Sequence, residues 1–446
     1  MKISSVLALL LVGVGLTQPA WSACKRVTSA SDLSQAAKDA GYVGASWGGV
    51  GDSEVKGKLG LPGVITLSSG TGFQTEGTLL ASSTASFVPN GRTQGVNANQ
   101  IYFRCDVAEI GKVYEYYATN GDDAWGGREA VAGIEGAYYT YVKNVALRLT
   151  NLKTGQYYSR YWQTRLIPES EMFNDGTYIY IPGSAFSDVF VELFRVDDAS
   201  KGLNGSNRYG YTYAGPAGYI AFHGGGMSSG LFDGADSRTN YDGWGAMQWP
   251  GGWTLTSQSY FVRGAACRID DYPAIVRLPP ISVGELSSGG TAQTPFNITV
   301  ECETGAISST AVSTTSKANV AMGFLVNNQT AANAANQLGL KTGSGAWTWL
   351  LDNHYGVSGV ASGVGIRIYS EKLGSSAINL LPNLTATATG NAGGWYGYAD
   401  LTSKISSSGS TELYNGEFTA SLEAIPGEAI TAGSVYAQLQ VVVSFQ

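Results

Sequence analysis

The end of the chain alternates almost without interruption. Val435, Ala437, Leu439, Val441, Val443 and Phe445 are apolar, and between them stand Tyr436, Gln438, Gln440, Ser444 and Gln446, with Val442 the one apolar exception. A period of two over this length predicts a strand with one face turned to a core and excludes an amphipathic helix. Such a strand presents a row of backbone donors and acceptors that aggregates unless something pairs with it. The pattern alone leaves two expectations open: a strand tucked inside a sandwich, or an edge that takes a partner.

The rest of the chain also reads as strands. Ala146–Leu149, Tyr178–Ile181, Val189–Val196, Tyr211–Phe222 and Val364–Tyr369 are β-branched or aromatic runs, separated by turn signals at Asn120-Gly121, Asn204-Gly205 and Asn415-Gly416. Helical patterning is confined to Ala30–Lys38 and Ala331–Gln337. The 60 glycines fit many short strands joined by turns. Only 14% of residues are charged, the net charge is −7 and no Lys/Arg cluster stands out, which argues against nucleic acid and anionic membrane as partners.

At the N-terminus, Lys2, the apolar run Val6–Leu16 and the small residues around Ala20 and Ser22 predict a secretory signal peptide over residues 1–23. The apolar run is shorter than the roughly 20 residues of a membrane span, and no membrane span is expected elsewhere. Behind a signal peptide, the four cysteines Cys24, Cys105, Cys267 and Cys302 imply disulfides. Three pairings are possible. Pairing sequence neighbours places one bridge in each half, which is what two independently folding domains require. Trp47, Trp125, Trp162, Trp244, Trp249 and Trp253 precede residue 263, and Ser/Thr/Ala-rich strands follow it. The expected division is therefore 24–262, a short linker at 263–266, and 267–446.

The segment from Cys267 onward resembles the pilin domain of chaperone–usher pili. The resemblance rests on the Cys267/Cys302 pair, with the second cysteine following Phe296–Val300, on the Ala361–Tyr369 strand running into a turn, and on Phe418–Leu422, Gly433 and the alternating tail with its aromatic penultimate Phe445. It implies an all-β fold: an N-terminal lectin-like β-sandwich or barrel, then an incomplete immunoglobulin-like domain lacking its last strand. It implies donor-strand complementation, in which a periplasmic chaperone and then the next pilus subunit pair with Val435, Ala437, Leu439, Val441, Val443 and Phe445, with the chaperone's basic residues holding the Gln446 carboxylate. It further implies export through an outer-membrane usher, a place at the pilus tip on the cell surface, and a role in attachment. The expected function is that of a tip adhesin for a host glycan or protein receptor. The alternative is a structural tip or capping subunit that mediates cell–cell contact in biofilm.

Two Gly-rich clusters are candidates for the receptor surface. One holds Asp122, Asp123, Trp125 and Arg128; the other holds Asp233, Asp236, Arg238, Asn240, Tyr241, Asp242 and Trp244. Carboxylates, amides and a flat aromatic ring suit sugar hydroxyls and protein surfaces alike. Equally, these residues fit well-capped turns with tryptophans packed inward. Asp233, Asp236 and Asp242 could supply oxygens to Ca²⁺, but their spacing is not that of an EF-hand loop, and no metal or cofactor is expected. An enzyme is not expected either. Gly44-Ala45-Ser46-Trp47-Gly48 fits a nucleophile elbow and His223–Gly226 an oxyanion motif, but their order is reversed. The only other histidine, His354, falls in the other half, so a triad is not expected.

Overall fold

A computed structural model describes residues 23–47, 56–70, 72–203, 206–213, 215–227, 231–240, 249–256 and 258–446. The expected signal peptide up to Ser22 lies outside the described residues, as do Gly48, Asn204, Tyr241, Asp242 and Trp244. The fold is all-β, with short helices at its turns. No helix among the described residues is long and apolar enough to cross a membrane.

Among the described residues, four sheets build the N-terminal half. One orders Cys24–Arg26, Ile101–Asp106, Tyr178–Pro182 and Phe173–Asn174; a second orders Leu79–Ala85, Val189–Arg195, Val145–Asn151 and Ala137–Tyr139. A third, five-stranded sheet centres on Gly218–His223 between Gly251–Thr254 and Tyr114–Thr119. The fourth sets Tyr260–Gly264 between Arg208–Gly210 and Val64–Ser68. Alternate residues of these strands fill one large core, in which Phe103 and Phe222 stack at 4.1 Å across two sheets. Glu115 is fully buried there, paired with Arg165 at 2.8 Å and receiving the Ser187 hydroxyl at 2.7 Å, so its charge is matched inside the fold. The strand expected over Tyr211–Phe222 is shorter than its composition implied. Only Gly218–His223 is a strand, because Pro216 lacks the N–H that a ladder needs.

The C-terminal half is a two-sheet sandwich. Cys267–Asp271, Ala292–Glu303, Thr411–Ala424 and Val364–Ser370 form one sheet in that order, with Ser403–Ser408 beside Thr411–Ala424. The other holds Ile307–Ser308, Asn319–Leu325 and Trp395–Gly397, and the final strand Gln440–Phe445 runs antiparallel to Asn319–Leu325. Phe324 and Phe418 meet edge to face at 5.4 Å, joining the sheets through the core. The helix Gln329–Gln337 starts where the Asn328 side chain accepts the Ala331 N–H.

The disulfides are Cys24–Cys105 and Cys267–Cys302, each joining residues directly opposite on neighbouring antiparallel strands. In the chain-entropy model each closes a loop worth about 4 kcal/mol. Arg263 and Gly264 are in strand, so Ala265 and Ala266 alone separate the last N-terminal strand from the first C-terminal one. The halves are in contact. Val64 and Val262 join the C-terminal core, and Glu303 accepts from the Ser68 hydroxyl at 2.9 Å, from Gly70 N–H at 3.2 Å and from Ala266 N–H at 2.7 Å.

Candidate functional site

A deep groove of about 1510 Å³ crosses the C-terminal sandwich between two irregular walls. One wall is Tyr272–Ile281, the other Val435–Val441; Phe296, Ile298, Leu350, Ile366, Ile368 and Leu422 form the floor. The first wall contains Pro273, Pro279 and Pro280, which donate no backbone hydrogen bond, so it cannot settle as an ordinary strand. Two of its apolar side chains stand open, Ile275 at 70% exposure and Tyr272 at 60%, while Val276, Leu278 and Ile281 pack against the core.

The tail divides. Its regular strand is confined to Gln440–Phe445, shorter than the alternation predicts, because the partner strand ends at Leu325 opposite Gln440. Upstream, Gly433 lies so close to the Val360–Ala361 backbone that a Cβ would stand 2.4 Å from Ala361 N, and only glycine fits. From there Val435, Ala437 and Leu439 face the groove half-buried, and Tyr436 points outward at 65% exposure. Among the described residues, nothing hydrogen-bonds the backbone of Val435, Ala437 or Leu439. An apolar floor beside a free backbone edge is what an added strand requires: the edge supplies main-chain hydrogen bonds, and the floor takes every second side chain.

Of the seven tail residues expected at this interface, Val435, Ala437, Leu439 and Val441 line the groove. Val443, Phe445 and Gln446 do not. Val443 packs on the sandwich core, and Phe445 and Gln446 are fully buried. Phe445 N–H donates to Thr66 Oγ1 at 3.2 Å; Gln446 donates to Asn319 O at 2.9 Å, and its own carbonyl accepts from Ser313 N–H at 2.7 Å. Gln446 thus makes hydrogen bonds within the chain, beside the N-terminal strand Val64–Ser68. Val442, the break in the alternation, packs on the opposite face against Leu381 and Trp395.

The two Gly-rich clusters, far apart in sequence, adjoin in space. Ser237 is fully buried between them, accepting Gly121 N–H at 3.0 Å and donating to Thr119 O at 2.9 Å. Their polar groups are largely spent on each other. Asp236 is bidentate on Arg160, with Oδ1 at 2.7 Å and Oδ2 at 2.5 Å, and also accepts Arg238 N–H; the Arg160 guanidinium holds its carboxyl below the usual range. No group of three metal-ligating side chains occurs among the described residues, and Asp242, the third oxygen donor considered, lies outside them. Asn240 donates to Asp236 O, and its carbonyl accepts the Trp162 indole at 2.5 Å. In the first cluster, Asp123 accepts Trp125 N–H at 3.1 Å and Arg128 donates to Asp122 O at 3.1 Å. Burial, with Asp123 as neighbour, pushes the Tyr141 hydroxyl well above its ordinary value. Trp125 is half-buried under Lys201, 5.4 Å from the ring, and the void beside it holds about 10 Å³, room for one water at most. Asp233 is exposed, and so are two aromatic rings that the sequence reading did not single out as site residues, Phe232 at 58% and Tyr161 at 51%. Tyr161 stands next to the buried Trp162 and Phe232 next to the buried Leu231, and no periodicity separates the exposed ring from its buried neighbour on so short a segment.

The oxyanion-like backbone at His223–Gly226 is in use: Gly225 N–H donates to Glu109 at 3.0 Å and its carbonyl accepts Cys24 N–H at 2.7 Å. Burial lowers the His223 pKa.

A sandwich with an unfilled strand position defines an incomplete immunoglobulin-like subunit. The C-terminal part of the chain, residues 254–446, matches the model of the fimbrial protein family. No curated protein matches the sequence. The similar solved structures include the following three. The P pilus rod subunit PapA is 15% identical at a TM-score of 0.24, covering 41% of this chain and 100% of its own. The CupB6 tip adhesin from Pseudomonas aeruginosa is 15% identical at 0.24, covering 88% and 91%. A chaperone–usher pilus solved to explain rod uncoiling is 14% identical at 0.21, covering 40% and 87%. At these scores none of the three bears on function.

Proposed function

We propose that the chain is the tip adhesin of a chaperone–usher pilus. In this reading residues 1–23 are removed on export, 24–264 bind a receptor, 265–266 link, and 267–446 accept a strand first from a periplasmic chaperone and then, at the outer-membrane usher, from the next subunit. One observation supports the tip position above others. Tyr260–Gly264, immediately ahead of the strand-accepting domain, is the central strand of an N-terminal sheet, so the segment is not free to reach into a neighbour's groove. A subunit that accepts a strand while the segment ahead of its accepting domain is held in a sheet fits the end of the fibre. Residues 119–128 and 231–240 are the receptor surface, with Tyr161 and Phe232 as its exposed rings. The receptor is a glycan or a protein.

The near-absence of a cavity at Trp125 favours a second reading, a structural tip subunit whose flat face mediates cell–cell contact. The test is a screen of the mature chain, its groove filled by a strand peptide, against immobilised glycans and matrix proteins. Saturable binding lost in Trp125→Ala, Tyr161→Ala or Phe232→Ala supports the adhesin. Silence from the folded chain, with cell aggregation retained, replaces it with the structural tip.

A further inference from the structure

The groove lip is held at one point by a side chain rather than by a strand. The segment Trp347–Asn353 is a strap across the sandwich. Trp347 exchanges backbone hydrogen bonds with Leu380 (2.9 and 2.7 Å), and Leu350 exchanges them with Ile366 on the edge strand of one sheet (2.9 and 2.8 Å). The strap then reaches the tail: Asn353 N–H donates to Tyr436 O at 2.8 Å, and Tyr436 N–H donates to Asp352 Oδ2. Asp352 is 3% exposed, and its other oxygen accepts His354 N–H at 2.7 Å, which fixes the carboxylate in a tight turn.

We propose that Asp352 positions the groove lip for strand uptake. This rests on the strand-acceptor reading above. In an extended chain the N–H and C=O of one residue point to the same side, and successive residues point to opposite sides. Exposure alternates along 435–440, as an extended segment requires. Ser434 is bonded inward to Gly359 and Ala361, and Tyr436 inward to Asp352 and Asn353. Those inward bonds turn the backbone groups of Val435, Ala437 and Leu439 toward the groove, where an incoming strand meets them. The partner strand stops opposite Gln440, so no ladder does this work at Tyr436. Without the carboxylate the lip is free to twist, and the row of donors and acceptors loses its line.

The test uses the full mature chain with both disulfides formed. Its probe is a labelled thirteen-residue peptide of alternating valine and threonine, read together with amide hydrogen exchange. Asp352→Ala, which removes the acceptor of both the Tyr436 and the His354 amides, is expected to speed peptide dissociation about tenfold or more. It should also release the Tyr436 amide to exchange while the Leu350 and Ile366 amides and Thr411–Ala424 stay protected. Asp352→Asn keeps one acceptor where two are needed and should fall between. A variant that merely loosens the fold would speed exchange everywhere. Wild-type dissociation with Tyr436 still protected in Asp352→Ala overturns the assignment. Should the alanine chain not fold, an unchanged dissociation rate in Asp352→Asn overturns it equally. A wild-type chain that refuses the peptide overturns the strand-acceptor reading itself, and this inference with it; exchange at Tyr436 tells the two failures apart.

Discussion

The groove and the loop surface differ in how far each satisfies itself. Around Val435, Ala437 and Leu439 backbone groups find no partner among the described residues and an apolar floor stands open. Around Asp236 and Gly121, by contrast, nearly every polar group has found a partner within the same loops. Unsatisfied groups specify what must come: an extended segment with alternate apolar side chains. Satisfied groups specify only a rigid shape, on which Tyr161 and Phe232 stand exposed. One region announces its partner's chemistry and the other conceals it.

The largest effect that sharpens this contrast comes from Val441, at the groove's end. Val441→Asp should reduce strand-peptide uptake by about a hundredfold or more, since a carboxylate would enter an apolar slot that the peptide seals from water. The empty chain should fold normally, because the side chain is still half-exposed. Peptide binding by titration, with circular dichroism as control, checks both halves. Ordinary uptake by the aspartate variant would break the assignment of this edge as the acceptor.

Phe445 is the control on the same strand. It is fully buried, with its backbone bonded to Thr66, so it belongs to the structure and not to the groove. Phe445→Ala should cost about 3–5 kcal/mol of stability in denaturant unfolding, the ordinary price of emptying such a site. Peptide affinity per folded molecule should hold. A loss of affinity with little loss of stability would move the groove's boundary past Val441 and undo the division of the tail.

Much of this was legible in residue order. Alternation located the tail, and the Cys267/Cys302 pair with its flanking strands located the sandwich. What alternation could not convey is where pairing stops. A period of two says that residues 435–445 are extended, but the partner's length decides that only Gln440–Phe445 is a ladder. The opposite wall, Tyr272–Ile281, was readable in principle: an apolar run broken by three prolines can border a sheet without joining it. Asp352 was not readable, because one carboxylate in a turn gives no sign of the distant amide it will meet. The loop clusters were found by composition, yet Ser237, which joins them, looks like any serine. Composition also could not tell that Arg160, outside both clusters, would take up Asp236.

The smallest effect tests the self-satisfied side. The Asp236 pKa lies below its ordinary 3.8, chiefly because Arg160 bonds its charged form. A lowered carboxylate pKa stabilises the fold above the unfolded value, and that contribution fades as pH falls through the folded value. Asp236 and Arg160 are both partly exposed, so the pair is worth about 1 kcal/mol or less. Asp236→Asn should therefore be slightly less stable than wild type at pH 5, and the gap should close as the medium is acidified past the ordinary carboxylate range. Trp162 reports it, since its indole donates to Asn240 in the same loop. Peptide uptake in the groove at pH 5 should be identical in the two chains. A gap that persists in acid would show that the aspartate acts through shape rather than charge, and a change in groove uptake would show that the two regions are not independent.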